Sequence, residues 1–98
     1  MSRRQLERRM TDISGRLKRL RADVAVSHEQ MEHFDTEADD ARLRALVSET
    51  PLADAEAREA QRHADAQRSA HASLLRSIGD LEREQDALLD RRATELAP

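Results

Sequence analysis

The chain has 98 residues and one aromatic side chain, Phe34, while 38% of its residues are charged and the net charge is −3. This length allows one domain at most. Apolar runs are too short for a membrane span, and the absence of cysteine excludes disulfides and thiolate metal sites. The arginines near the start are not followed by the apolar segment of a signal peptide, so we expect a cytoplasmic protein.

Apolar and small residues recur in alternating steps of three and four residues through the first half of the chain. The series is Leu6, Met10, Ile13, Leu17, Leu20, Val24, Ser27, Met31, Phe34, Ala38, Ala41 and Ala45. A second series runs from Ala57 to Leu88. A sustained mean step of about 3.5 residues is typical of a coiled-coil seam. Abundant helix-forming residues also favour a folded helix over a disordered chain.

The two series are separated by Ser48-Glu49-Thr50-Pro51. Pro51 disfavours helical geometry at Thr50, and Thr50 can cap a following helix that has Pro51 at its first position. A continuous helix through Pro51 would cost about 3 kcal/mol. The sequence therefore predicts one all-α domain over residues 1–98, an antiparallel coiled-coil hairpin with a helix over 3–48, a turn over 49–51 and a helix over 52–95.

The register of this hairpin follows from placing each a position opposite a d position of the other helix. Leu17 then faces Leu81, and Ser27 faces His71. We expect the aliphatic end remote from the turn to supply most of the burial, and the polar layer at Ser27, His71 and Gln67 to fix the register. At the helix edges this register brings Arg16 near Glu84 and opposes Arg9 to Arg91.

Apolar residues outside the seam indicate a partner surface, because a two-helix core is thin for a chain of this size. They are Leu43, Leu46, Val47, Leu75, Leu89 and Leu96. We expect a second copy to cover them, as a four-helix bundle or a tip-to-tip dimer, or else another helical protein. Isolated surface leucines are the alternative interpretation, since such residues are common.

The sequence contains none of the motifs that we associate with catalysis or with cofactor binding. There is no glycine-rich phosphate loop, and close-packed helices leave no room for a small-molecule substrate, so we predict a non-enzymatic protein without cofactors. His28 with Glu32, and Glu29 with His33, have the spacing of helical ion pairs and no evident third metal ligand. Nucleic acid is disfavoured as a partner, because no aromatic side chain accompanies the N-terminal arginines and the net charge is negative.

The segment Pro51-Leu52-Ala53-Asp54-Ala55-Glu56-Ala57 lies at an acidic corner. A hairpin with such a corner resembles the coiled-coil arm of bacterial factors that enter the secondary channel of RNA polymerase, the Gre and DksA/TraR families. This resemblance implies a transcription modulator with Glu49 and Asp54 as tip carboxylates. Two functions therefore stay open, a self-associating protein–protein interaction module and a modulator of RNA polymerase.

Overall fold

A computed structural model describes the backbone of residues 1–96 and the side chains of residues 1–95. Helix α1 spans Arg3–Ser48 and helix α2 spans Pro51–Leu96, with no strand in this part of the chain. The two helices pack against each other as an antiparallel hairpin, which confirms the predicted fold class. Helix α2 begins at Pro51 and so includes the proline at its first position.

The start of α1 carries a reciprocal cap. The backbone N–H of Gln5 donates to Ser2 Oγ at 3.2 Å, and the backbone N–H of Ser2 donates to Gln5 Oε1 at 2.8 Å. This is the capping-box arrangement of a serine followed three residues later by glutamine. The cap satisfies backbone donors that the first helical turn leaves without partners.

The turn between the helices is built by Glu49 and Thr50. Glu49 has a φ of 51°, in the left-handed region, and its N–H donates to the carbonyl of Ala45 at 3.1 Å. Thr50 Oγ1 accepts the N–H of Ala53 at 3.2 Å, and the Thr50 carbonyl accepts the N–H of Asp54 at 3.1 Å. The prediction that Thr50 caps α2, with Pro51 at the first helical position, is therefore confirmed.

The chain divides into two compact units. Unit 1 combines residues 1–23 with the part of α2 from Leu74 onward, and unit 2 is the continuous segment Val24–Ser73 that contains the turn. The core of unit 1 consists of large aliphatic side chains that are almost fully buried. They are Leu6, Ile13, Leu17, Leu81 and Leu88, with Met10, Leu20 and Ile78 packed against them. Each such burial contributes about 1.5–3 kcal/mol, so this unit holds the main hydrophobic stabilisation.

Unit 2 has a core of small side chains. Ala38, Ala41 and Ala64 are buried, and the large Phe34 is only half-buried. Alanine allows two helices to approach closely but removes little apolar area from water. Unit 2 therefore depends on helix propensity and polar contacts to a greater extent than unit 1 does.

Candidate interaction surfaces

Large apolar side chains remain exposed on both sides of the turn in unit 2. Leu43, Leu46 and Val47 lie in the last turns of α1, and Leu52 lies in the first turn of α2. Val47 is 85% exposed and Leu52 is 70% exposed. We call these four residues the tip surface. Four exposed large apolar residues within ten positions form a concentration that an isolated surface leucine does not explain.

Helical geometry accounts for the exposure of the three α1 members of the tip surface. Ala41 and Ala45 occupy the seam, and Ala41 is buried. Leu43, Leu46 and Val47 have the i, i+3, i+4 spacing of one helix face, and this face lies on the outer side of α1. Most of the surface of these residues therefore faces solvent and not the seam between α1 and α2.

A second set of exposed leucines lies on α2 in unit 1. Leu75 and Leu89 are 49% and 45% exposed and stand two heptads apart on one face of the helix. We call this pair the α2 stripe. Glu82 lies between them in the sequence and forms an ion pair with Arg21, in which Arg21 Nη2 is 3.5 Å from Glu82 Oε2. Leu96 continues the spacing in sequence, but its side chain lies outside the described residues.

A shallow groove runs along one edge of unit 2. Its apolar lining includes Phe34, Ala41, Leu52 and Ala60, and its volume is about 550 Å³. Polar side chains lie around this lining, namely Glu37, Arg44, Glu56, Glu59 and His63. Leu52 lines this groove and is also a member of the tip surface, so it is the residue that the two have in common.

The two carboxylates singled out by the polymerase-factor resemblance are both exposed. Glu49 lies in the turn with left-handed backbone, and Asp54 lies in the first turn of α2. A carboxylate in the first turn also suits the positive end of the helix dipole. Leu46, Val47 and Leu52 accompany these acids, so the tip of unit 2 is both acidic and apolar. The role of Glu49 and Asp54 in polymerase binding stays a prediction.

Two members of the predicted polar layer, Ser27 and His71, face each other as the register predicts. Ser27 is buried, and its Oγ lies 3.1 Å from Nδ1 of the half-buried His71. The ring of His28 stands 6.0 Å from that of His71, and His28 Nε2 lies 2.9 Å from Glu32 Oε1. The Ser27–His71 contact joins the two helices, so it confirms the predicted pairing of this layer.

The remaining histidines take part in local contacts. His33 Nε2 lies 3.6 Å from Glu37 Oε1, and His63 Nε2 lies 3.4 Å from Glu59 Oε1. The Phe34 ring lies edge-on to both histidine rings. Within the described residues, no group of three or more His, Cys, Asp or Glu side chains is arranged to hold a metal ion.

Ion pairs between the helices differ in part from the sequence-based prediction. Arg9 donates from Nε to Glu84 Oε1 at 2.7 Å and from Nη2 to Oε2 at 2.9 Å. Arg91 pairs with Glu95, so each of the two arginines predicted to repel each other has an acidic partner of its own. A side chain at the edge of the seam can reach either of two residues on the facing helix, and the Arg9 side chain points to the acidic one, Glu84. The Arg9 guanidinium lowers the pKa of the Glu84 carboxyl, and the predicted neighbour Arg16 lowers it further.

A matching interhelical pair stabilises unit 2. Arg68 Nη2 lies 3.0 Å from Asp35 Oδ2, and this hydrogen bond raises the pKa of the Arg68 guanidinium. The other carboxylate oxygen of Asp35 is buried without a protein hydrogen-bond partner. The pair therefore links α1 to α2 beside the alanine core.

Leu52 is the residue that sequence reasoning missed. It follows Pro51 directly and belongs to neither the seam nor the apolar stripe, so the heptad pattern gave it no weight. The sequence feature that could have identified Leu52 is local. It is a large aliphatic side chain in the first turn of a helix, where polar residues are more usual.

The described residues include no helix with both the length and the apolar character needed to cross a bilayer. Comparison of the chain with protein-family models, with curated proteins and with solved structures gives no match. The two apolar surfaces and the charges around them are the features of the molecule that bear on its function.

Proposed function

We propose that the protein is a non-enzymatic helical interaction module whose copies associate through the α2 stripe. The observation that carries this proposal is the exposure of Leu75 and Leu89 at matching positions two heptads apart. Covering a half-exposed leucine contributes about 1 kcal/mol, so several such residues from two copies favour association.

A two-fold contact suits the arrangement of the stripe. In an isologous dimer each contact between residues i and j is repeated between j and i, so Leu75 of one copy can pack near Leu89 of the other, and Leu89 near Leu75, when the two α2 helices run antiparallel. Glu82 lies midway between the two leucines, so this contact brings it near Glu82 of the other copy, and the ion pair with Arg21 on each copy offsets the like charge. Unit 1 as a whole contains both charge signs. It holds nine acidic and twelve basic residues, a net charge of +3.

The test is a double substitution of the stripe, Leu75→Glu with Leu89→Glu. Four buried carboxylates in the dimer interface would have no partners, so we expect the variant to be a monomer while the unmodified chain is an oligomer. The molar mass is measured by light scattering coupled to size exclusion, and helicity by circular dichroism.

A matched control separates loss of contact from added charge. Ala87→Glu with Thr94→Glu introduces the same two carboxylates at exposed positions on a face of α2 turned away from the stripe. We expect this control to keep the oligomer mass. An unmodified chain that is monomeric, or a stripe variant with the oligomer mass, would contradict the proposal.

A further inference from the structure

The tip surface has no role in the hairpin itself. Its α1 members face away from α2, and all four of its members are at least 60% exposed. Large apolar side chains held on rigid helices near a turn can contribute to binding without any cost for ordering a loop. The question is therefore which kind of partner suits this surface.

Charge argues against a second copy as that partner. Unit 2 contains eleven acidic and five basic residues, which gives a net charge of −6. A two-fold contact through the tip surface would bring two such units together, and like charges across an interface oppose association. The same charge attracts a cationic partner.

The groove adds a shape requirement. It continues from Leu52 along the alanine-lined edge to Phe34, and Glu37, Glu56 and Glu59 surround it with Arg44 as the one arginine. A helix that lays an apolar face into such a groove buries side chains at i, i+3/i+4 and i+7 spacing. Basic residues beside that face would meet the three glutamates.

We propose that the tip surface and the adjoining groove together bind a basic amphipathic helix of another protein. The apolar face of that helix covers Leu52, Val47 and the groove, and its Lys or Arg residues pair with the glutamates. This site lies in unit 2 and is separate from the α2 stripe, so the inference does not depend on self-association.

The probe is a fluorescein-labelled synthetic peptide with leucines at helical spacing and lysines elsewhere, titrated with the full chain and followed by fluorescence anisotropy. A peptide with glutamate in place of each lysine serves as the charge control. We expect the lysine peptide to bind at least about tenfold more tightly and its affinity to fall with added salt.

Two variants of the chain locate the site. Val47→Ser with Leu52→Ser should weaken binding of the lysine peptide about tenfold, and Glu56→Gln with Glu59→Gln should weaken it about fivefold. Val26→Ser, at another exposed apolar position of unit 2, and Asp80→Asn with Asp90→Asn, in unit 1, are the matched controls. Both controls should bind as the unmodified chain does.

Repeating the titration with the Leu75→Glu/Leu89→Glu chain distinguishes the two proposals, because peptide binding should persist whatever the oligomeric state. Equal binding of the two peptides, or binding unaffected by the Val47→Ser/Leu52→Ser change, would overturn the inference. So would a fall in oligomer mass caused by Val47→Ser/Leu52→Ser, since a second copy would then be the occupant of the tip surface.

Discussion

Glu49 shows how one residue controls the turn. Its left-handed φ of 51° ends α1 and allows Thr50 to begin the cap of α2. A residue with a Cβ atom is sterically strained in the left-handed region of φ, and glycine is not.

We therefore predict that Glu49→Gly stabilises the hairpin by about 1 kcal/mol, measured by urea unfolding followed with circular dichroism. Glu49→Ala removes the same carboxylate but keeps the Cβ atom, so it should show no comparable gain. Equal stabilisation by glycine and alanine would mean that the carboxylate, and not the backbone, causes the strain.

The contribution of the Arg9–Glu84 ion pair to the stability of the fold depends on pH. Hydrogen bonding to Arg9 is the main cause that lowers the pKa of Glu84 below its ordinary value of 4.5. A carboxyl whose pKa is lower in the folded state stabilises the fold above the unfolded-state pKa. It loses that contribution as the pH falls through the folded-state pKa.

We predict that the midpoint of thermal unfolding of Glu84→Gln lies below that of the unmodified chain at neutral pH. The difference should shrink as the pH falls below about 4.5, because Glu84 then becomes uncharged. Thermal unfolding is followed by circular dichroism across this pH range at low salt. A difference that stays constant with pH would show that packing of the side chain, not its charge, stabilises the fold.

At the scale of the elements, the aliphatic core of unit 1 holds the helices together. Ile13 is 0% exposed within the cluster of buried leucines. Ile13→Ala should lower the free energy of unfolding by about 2–5 kcal/mol, because it removes buried methyl groups and leaves a cavity. Denaturant unfolding measures this loss. Val26→Ala, at an exposed position of α1, should change stability by less than about 0.5 kcal/mol.

The helices and their pairing were predictable because their signals are local and periodic. Pro51 and the Thr50 cap mark the turn, and the seam spacing places Ser27 opposite His71. The partner of Arg9 was not predictable by the same rule, since the choice between Glu84 and Arg91 depends on the side-chain rotamer. The left-handed backbone at Glu49 was not predictable, because glycine is the usual sequence sign of such a backbone and this residue is a glutamate. The exposed Leu52 was not predictable as part of a surface, because it lies outside every periodic pattern.

At the scale of the whole molecule, the two contacts that we propose differ in their electrostatic surroundings. The α2 stripe lies in a unit with net charge +3, and the tip surface lies in a unit with net charge −6. The sequence already marked the corner as acidic, and it assigned the apolar residues of both surfaces other than Leu52 to a second copy or to another helical protein. The structure adds Leu52 and its groove to the acidic end and groups the N-terminal residues with the end of α2, which gives the net charge of each unit.

The molar mass of the unmodified chain, followed by light scattering over a dilution series, tests self-association most directly. We predict at least twice the chain mass of 11.2 kDa at high concentration, together with high helicity by circular dichroism. A fully helical chain that scatters as a monomer at every concentration would contradict it.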